Sequence, residues 1–438
     1  MRSQNYNLIL LILLFPFEIF CHSIRNDGKP SLSSSSKAEV ELPLIIAHRG
    51  DKVQMPEHTI PAYEFAMAEG VDFVEPDLVM TKDSQLVCYH DLTVGSGTDV
   101  RSREEFEHLW ISERNITLNG EVKTIRDDWL ISDFTLAQLK TLRIIQKETG
   151  IRPKYFDRMF SIPTFDEFME AVHKFTFKVS SMDGKDKIVG IMPELKHPSY
   201  HNALNNNTSN QMEKSFINKL KFWGYSVNNS ESSECTYNYT QIPCSSVVVQ
   251  SFEPETIKYL HNTTDLRLMA LFETTLNNLP YLTYKGLAEL QGKTEFVGLW
   301  KELLFTGTLA EINYTKLTYD EEEIAALGGF IEPEKIVEYA EELGMKVGIY
   351  TIYSSWEDSK RGCALECTKE SKNVELEYYF GLGVKAFFVE GVCESLRIRD
   401  GYFGRKNGGS SGARRIEVNK LIPSILAFTL VIMKIIFV

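Results

Sequence analysis

Three acidic residues of this sequence each lie near the end of a short apolar run, where they could bind a metal ion. Glu75 and Asp77 are two residues apart, so on a strand their side chains point to the same face. Glu194 lies near the end of a later apolar run. Burying like charges together is costly unless a cation lies between them. Because carboxylates are hard oxygen ligands, the set predicts Mg²⁺ or Ca²⁺ rather than zinc, which prefers cysteine or histidine.

Two histidines and two cations occupy similar strand-end positions. His48 and His90 end two other apolar runs. Imidazoles titrate near neutral pH, which suits general acid and base roles on opposite sides of a scissile bond. Arg49 and Lys196 would balance a phosphoryl group. A single histidine or Glu-x-Asp pair at a strand end usually has a structural role, so it is the combination that favours a catalytic site.

These side chains must be positioned by short apolar runs, several of which have helical segments between them. They are continuous rather than alternating, which is typical of strands buried on both faces of a parallel sheet. Thr59 and Pro61 predict the start of the first helix. No G-x-G-x-x-G motif follows an early strand, so a dinucleotide-binding fold has no support. The runs span residues 44–48, 72–78, 85–90, 189–195, 246–251, 266–272, 295–299, 346–352 and 385–390.

This order predicts the α/β class, with either a parallel barrel or an open doubly wound sheet. In a (β/α)8 TIM barrel the catalytic groups lie at the carboxyl ends of the strands. Nine runs exceed eight strands, but 72–78 and 85–90 are too close for a crossover helix. We therefore expect them to form a hairpin with one arm outside the barrel. The polar stretch at about 92–160 is interpreted as a small insertion after the third run, and the stretch at about 200–244 as a second, glycosylated excursion.

The two ends of the chain have the composition of sorting signals. An apolar run from Leu8 to Phe20 predicts a secretory signal peptide. Small residues, a polar spacer and a terminal apolar run predict a glycosylphosphatidylinositol (GPI) attachment signal, with a single C-terminal transmembrane helix as the alternative. Both place the protein on the extracellular face of the cell membrane or in the secretory lumen, or released. The predicted organisation is signal peptide 1–22, linker 23–43, barrel 44–400, spacer 401–420 and hydrophobic anchor signal 421–438.

Cysteines and glycosylation sequons agree with export. Of seven cysteines, Cys21 belongs to the signal, and the other six form an even number that suits disulfides in an oxidising compartment. Cys235 and Cys244 predict a loop disulfide. The spacing of three further cysteines could resemble a metal site, namely Cys363, Cys367 and Cys393. The sequence has no matching second pair of cysteines or histidines, which favours disulfides or free thiols over zinc. The predicted glycosylation sites are Asn115, Asn206, Asn207, Asn228, Asn238, Asn262 and Asn313.

The composition narrows the possible partners. The 438 residues include 47 basic and 60 acidic side chains, a net charge of −13, and 43% are hydrophobic. This content is that of a globular chain and excludes disordered, collagen-like and coiled-coil classes. Since the chain is acidic and has no basic run, nucleic acid is not expected as a partner. A small phosphorylated substrate would need local cations such as Arg49 and Lys196.

Several motifs together resemble the glycerophosphodiester phosphodiesterase family, most closely its periplasmic or secreted type. Supporting stretches such as I-P-T-F-D-E-F and Q-S-F-E-P extend the likeness over roughly Leu44 to Arg397, so the ends of the chain lie outside it. The motifs are HRG at 48–50, P-E-H-T at 56–59, V-E-P-D-L-V-M-T-K-D at 74–83, Y-H-D-L-T at 89–93 and P-E-L-K at 193–196.

The resemblance implies a phospholipase C-like TIM barrel with a small insertion after the His-Asp motif. It implies metal-dependent hydrolysis of deacylated phospholipids such as glycerophosphocholine to glycerol 3-phosphate and an alcohol. By the same resemblance, His48 and His90 become the acid/base pair, Arg49 clamps the phosphate, and Lys196 contacts the phosphate or a ligand carboxylate. The implied ligands of the divalent cation are Glu75, Asp77 and Glu194.

The chain departs from the family pattern at the far side of the predicted mouth. His58 replaces a common asparagine, residues 351–353 replace a Thr-Val-Asn run, and residues 389–392 replace a Thr-Asp-Phe-Pro turn. These changes put substrate choice in question. The alternatives are therefore a lysophospholipase D-type or GPI-headgroup phosphodiesterase, or a catalytically silent surface binding protein on the same barrel.

Overall fold

A computed structural model describes residues 41–147, 152–182, 188–204, 210–354 and 372–406. The predicted signal peptide, most of the linker and the predicted anchor signal lie outside the described residues, as do Asn206, Asn207, Cys363 and Cys367. Within the described part of the chain, no helix has the length and apolar character needed to cross a membrane. The chain divides into a unit Met1–Arg399, which contains the barrel, and a unit Asp400–Val438, of which only residues 400–406 are described.

Eight parallel strands close into a barrel. Each strand pairs with the next, and the eighth pairs with the first through Leu44 and Ala386. The second and third strands are each interrupted within the ring, so each has two segments. The predicted (β/α)8 barrel is therefore confirmed. In chain order the strands are Leu44–His48, Phe73–Glu75 with Asp77–Met80, Gly190–Ile191 with Glu194–Leu195, Val248–Ser251, Arg267–Phe272, Phe296–Trp300, Lys346–Ile352 and Ala386–Val389.

The additional apolar run forms a ninth strand outside the ring. Leu86–Cys88 pairs antiparallel with Asp77–Met80, so the predicted hairpin with one outer arm is present. Two further antiparallel pairs lie away from the barrel, Ile111–Leu118 with Glu121–Asp128 and Thr236–Tyr237 with Thr240–Gln241.

Helices connect most of the barrel strands. The first begins as predicted, with the Thr59 side chain accepting from the Ala62 N–H and proline in the first turn. The α-helices are Ile60–Ala68, Leu136–Leu139, Phe165–Met182, Pro198–Leu204, Gln211–Phe222, Pro254–Thr263, Tyr284–Ala288, Thr308–Thr315, Glu321–Ala326, Ile336–Glu342, Lys372–Leu382 and Val392–Lys406. The 3-10 helices are Asp99–Ser102, Glu104–Leu109, Ile131–Asp133, Leu279–Leu282, Lys301–Leu304 and Pro333–Lys335.

The stretch predicted as an insertion contains a β-hairpin whose tip reaches the barrel mouth. The Asn119 N–H donates to Ser199 Oγ at 3.1 Å, and the Asn277 side-chain amide donates to the Asn119 carbonyl. Ser199 follows the third strand and Asn277 follows the fifth. We call the strands Ile111–Leu118 and Glu121–Asp128 with their turn the cover hairpin, because they extend over that end of the barrel.

The second predicted excursion carries the loop disulfide. Cys235 and Cys244 are bonded, as the sequence predicts, while Cys88 is a buried free thiol. Four of the predicted glycosylation acceptors among the described residues are exposed, namely Asn115, Asn238, Asn262 and Asn313. Asn228 is half-buried. The four exposed positions are open to modification.

Candidate active site

Three carboxylates meet at the carboxyl ends of the second and third barrel strands. One oxygen from each of Glu75, Asp77 and Glu194 lies within 4.8 Å of the others. The residues are 1%, 1% and 6% exposed, respectively. Parallel register explains the meeting, because Asp77 is paired directly with Glu194 across the two strands. The three residues that the sequence singles out as metal ligands are thus brought together.

The HRG turn after the first strand fixes the Arg49 side chain next to the three carboxylates. Arg49 has φ 64°, in the left-handed region, and its N–H donates to Glu75 Oε2 at 2.7 Å. Its Nε lies 3.3 Å from Asp77 Oδ2, and its Nη1 donates to Glu57 Oε2 at 3.1 Å. Gly50 has φ 81°, and a Cβ there would come within 2.7 Å of the Ala62 backbone. This turn therefore requires glycine after arginine.

His58, which replaces the common asparagine, is held inside the same network. A carboxylate only accepts, so His58 Nε2 donates to Asp77 Oδ2 at 2.9 Å, and its Nδ1 accepts from the Tyr63 hydroxyl at 2.7 Å. His58 therefore helps to hold the Asp77 carboxylate in place.

The two predicted catalytic histidines both line the cavity described below, and each makes a contact that fixes its tautomer. A Lys ammonium only donates, so Lys52 Nζ donates to His48 Nδ1 at 3.2 Å, which leaves the His48 proton on Nε2. His90 Nδ1 hydrogen-bonds to the Asp91 carboxylate, which leaves a free lone pair on His90 Nε2. Burial lowers the pKa of His90 to about 3, so that ring is neutral, and burial with Lys52 and Arg49 lowers the pKa of His48. The two histidines therefore have opposite tautomers.

A buried ion cluster stands behind His48. Glu390 is completely buried and lies 2.7 Å from both Lys52 Nζ and Arg152 Nη2. Burial alone would raise the pKa of Glu390, but Lys52 and Arg152 outweigh burial and lower it. Glu390 belongs to the segment that departs from the family pattern, and here it keeps the Lys52 ammonium charged beside His48.

A second ion network orients His90. Lys147 Nζ lies 2.7 Å from Asp91 Oδ2 and 2.8 Å from Glu57 Oε1. Burial would raise the pKa of Asp91, but the hydrogen bond from His90 and the charge of Lys147 lower it. Asp91 therefore remains an acceptor for His90.

Lys196 contacts two of the three carboxylates. Its Nζ is 2.9 Å from Glu194 Oε1 and 4.0 Å from Asp77 Oδ1. With Arg49 it supplies two positive charges beside three negative ones.

The charges of the carboxylates are not balanced by the protein alone. Burial raises the pKa of Glu75, and Asp77 and Glu194 raise it further. Burial raises the pKa of Glu194 to about 8 despite Lys196. The pKa of Asp77 is lowered, because Lys196 and His58 outweigh its burial. A divalent cation would remove this repulsion, and the all-oxygen ligand set fits Mg²⁺ or Ca²⁺.

Most of these groups line one cavity of about 810 Å³, with Asp77 and His58 buried beneath its wall. Its wall includes both histidines, Arg49, Lys196, Glu75 and Glu194, and residues Leu118 to Ile125 of the cover hairpin contribute to its rim. A volume of this size holds a small organic ligand.

Several contributors carry no recognisable signal in the sequence. Lys52, Lys147 and Arg152 resemble ordinary surface cations, and only the fold buries them against carboxylates. Gln250 is 1% exposed and its side-chain amide lies 3.4 Å from Glu75 Oε1. Gln250 lies in the Q-S-F-E-P stretch, which supports the family resemblance in the sequence. That stretch does not indicate that the Gln250 amide contacts Glu75.

A closed (β/α)8 barrel with acidic and basic side chains gathered at the carboxyl ends of its strands defines an enzyme of the TIM-barrel class. Residues 48–368 match the model of the "Glycerophosphoryl diester phosphodiesterase family". A glycerophosphodiester phosphodiesterase of Arabidopsis thaliana is 30% identical over 286 residues, covering 63% of this chain and 68% of that protein. One of Haemophilus influenzae is 30% identical over 213 residues, covering 44% of this chain and 50% of its own.

Solved structures give a weaker likeness. An Oleispira antarctica phosphodiesterase, solved with the product sn-glycerol-3-phosphate, has 16% identity and a TM-score of 0.48, covering 82% of this chain and 97% of its own. The chain belongs to the glycerophosphoryl diester phosphodiesterase family, as its motifs predict, and the prediction of a phosphoric diester hydrolase is confirmed.

Proposed function

We propose that this protein hydrolyses glycerophosphodiesters to glycerol 3-phosphate and an alcohol with the help of a divalent cation. The observation that carries the proposal is the arrangement of two oppositely oriented histidines, a carboxylate trio and two cations around one cavity. Glycerophosphocholine and related deacylated phospholipids are the substrate class, by the family to which the chain belongs.

Glu75, Asp77 and Glu194 would hold the cation, which would be Mg²⁺ or Ca²⁺. When bound, it would neutralise charge on the substrate phosphate and on the carboxylates. Arg49 and Lys196 line the same cavity and would contact the remaining phosphate oxygens.

The tautomers assign the direction of proton transfer. His90 Nε2 carries a lone pair and would accept the proton of the attacking hydroxyl, whether from water or from the glycerol of the substrate. His48 Nε2 carries a proton and would give it to the leaving alcohol oxygen. Lys52 and Asp91 maintain the two tautomers and act as positioning residues.

An assay of glycerophosphocholine hydrolysis that measures the glycerol 3-phosphate released tests the proposal. We expect His90→Ala and Glu75→Ala to lose at least about a hundredfold in kcat, since each removes a group with a separate role. His108→Ala and Glu113→Ala change the same residue types at exposed positions and serve as matched controls. Undiminished turnover in the first two variants would overturn the assignment.

A lysophospholipid is the second candidate substrate. Leu118 and Ile125 of the cover hairpin line the cavity and offer apolar surface for an acyl chain. A panel of glycerophosphodiesters and lysophospholipids with Mg²⁺, Ca²⁺ or chelator separates the two candidates. Faster turnover of the lysophospholipid would favour this one.

We further propose that the protein is exported and tethered to the outer face of the cell membrane, through a GPI anchor or a single transmembrane helix. The Cys235–Cys244 disulfide and the exposed sequons support an oxidising compartment. Release of the protein from intact cells by a GPI-cleaving phospholipase, together with a mass shift on removal of N-glycans, tests both parts.

A further inference from the structure

The cavity has an aromatic wall that the proposed proton transfers do not use. Phe252, Trp300 and Tyr350 come from the fourth, sixth and seventh strands or the residue that follows, and all three line the cavity. The ring centroids of Phe252 and Tyr350 are 5.5 Å apart at 82°, and those of Trp300 and Tyr350 are 5.9 Å apart at 51°. We call these three rings the aromatic wall.

The aromatic wall is anchored on the barrel and open towards the cavity. The Tyr350 hydroxyl donates to the Phe272 carbonyl at 2.9 Å. Phe252 and Tyr350 pack against the core cluster inside the barrel, while all three rings remain half-buried. Their positions are therefore fixed before a ligand binds, which lowers the entropic cost of binding.

The carboxylate of Glu273 stands beside the aromatic wall and acts electrostatically on Tyr350. Glu273 directly follows the fifth strand, lines the cavity and is exposed to it. Among the residues that the structure describes, Glu273 forms no ion pair within 4.0 Å. Enclosure by the cavity raises its pKa. A cation bound here would stabilise the charged carboxylate.

The aromatic wall begins next to the proposed phosphate site. Lys196 Nζ lies 5.4 Å from the centroid of the Phe252 ring. Both Glu194 and Glu273 act electrostatically on Tyr350. A ligand whose phosphate contacts Lys196 could therefore reach the aromatic wall with a short extension, such as the ethylene unit that joins phosphate to nitrogen in phosphocholine.

We propose that the aromatic wall and Glu273 bind a quaternary ammonium group, so that the preferred glycerophosphodiester is one that carries choline. The inference rests on the proposed function. A trimethylammonium group cannot donate an N–H hydrogen bond, and it binds through aromatic faces and a nearby negative charge. A primary ammonium could donate to Glu273 but would lose its other hydrogen bonds against the rings, and a neutral glycerol headgroup gains nothing from the carboxylate.

Steady-state kinetics with glycerophosphocholine, glycerophosphoethanolamine and glycerophosphoglycerol test the inference. We expect the unmodified protein to favour the choline diester by about tenfold in kcat/KM. Glu273→Gln and Trp300→Leu should each raise KM for the choline diester about tenfold and leave the glycerol diester unchanged. Trp300→Phe keeps an aromatic face and should recover most of the loss.

Glu113→Gln is the matched control, because Glu113 is an exposed carboxylate of the cover hairpin that does not line the cavity. Its KM for the choline diester should stay within about twofold of the unmodified value, since it touches no ring of the wall. If the glycerol diester is hydrolysed as well as the choline diester, or if Glu273→Gln and Trp300→Leu impair both equally, the inference is overturned and the proposed function stands.

Failure of the proposed function has a different signature. In that case the unmodified protein hydrolyses none of the three diesters. Calorimetric titration with choline chloride then decides the inference separately. Binding that Glu273→Gln weakens about tenfold would support it, and absence of binding would overturn it.

Discussion

Replacing Glu390 with glutamine removes the charge that two buried cations share. Lys52 and Arg152 are 4% and 9% exposed at their side chains, and each has a nitrogen 2.7 Å from a Glu390 oxygen. Glutamine has nearly the same shape, so packing is preserved while the negative charge is lost. We expect Glu390→Gln to be strongly destabilising for electrostatic reasons.

The burial of the Glu390 ion cluster sets the magnitude of the expected loss of stability. Removing one partner of a buried ion pair typically costs about 3–5 kcal/mol, because the remaining charge stays desolvated and unpaired. Two cations share Glu390, but Arg152 has part of its side chain open to solvent, so we expect a loss of about 4 kcal/mol in the free energy of unfolding.

A surface ion pair of similar length gives the control. Arg267 Nε lies 2.6 Å from Glu295, but their side chains are 40% and 31% exposed. Glu295→Gln should cost less than about 1 kcal/mol. Urea unfolding followed by tryptophan fluorescence measures both variants. If Glu390→Gln loses no more stability than Glu295→Gln, burial does not control the strength of this cluster and the reasoning is refuted.

The same variant should alter the pH dependence of catalysis. Burial lowers the pKa of Lys52, and Glu390 opposes that effect. Without Glu390 the pKa falls further, so Lys52 loses its proton at lower pH and no longer fixes the His48 tautomer. We expect kcat of Glu390→Gln to rise, relative to the unmodified protein, as the pH is lowered and Lys52 regains its proton. Parallel pH profiles for the two proteins would contradict this tautomer assignment.

Three further predictions concern other parts of the molecule. Asp91→Asn should lower kcat by about 10²–10⁴ with little change in KM, because an amide can donate to His90 and stabilise the wrong tautomer; unchanged kcat would contradict the role of Asp91. Chelator should abolish turnover, and added Mg²⁺ or Ca²⁺ should raise the melting temperature, because the cation binds only the folded carboxylate trio; a Glu75→Gln variant should lose the shift in calorimetry. Cys235→Ser should lower the free energy of unfolding by about 2.5 kcal/mol, the loop-closure value for a sequence separation of 9. Cys88→Ser, which changes a free buried thiol, is the comparison. Equal losses in both variants would argue against a stabilising disulfide.

The sequence alone determined the barrel and the identity of the chemical groups. Continuous apolar runs predicted the strands, and the short spacing between residues 72–78 and 85–90 predicted the outer hairpin that the structure contains. Glu75 and Asp77 were predictable because side chains two apart on a strand share a face. The Cys235–Cys244 pair was predictable because the two cysteines are close in sequence.

Only the tertiary structure decided the surroundings of those groups. Lys52 and Glu390 are more than 300 residues apart in sequence, yet their contact fixes the tautomer of His48. The eighth strand closes on the first, and that closure brings them together. Glu273 and the aromatic wall likewise come from separate strands that neighbour one another only in the ring. Motifs identify the side chains that follow each strand, whereas hydrogen-bond direction, burial and counterions depend on contacts across the barrel that local sequence does not encode.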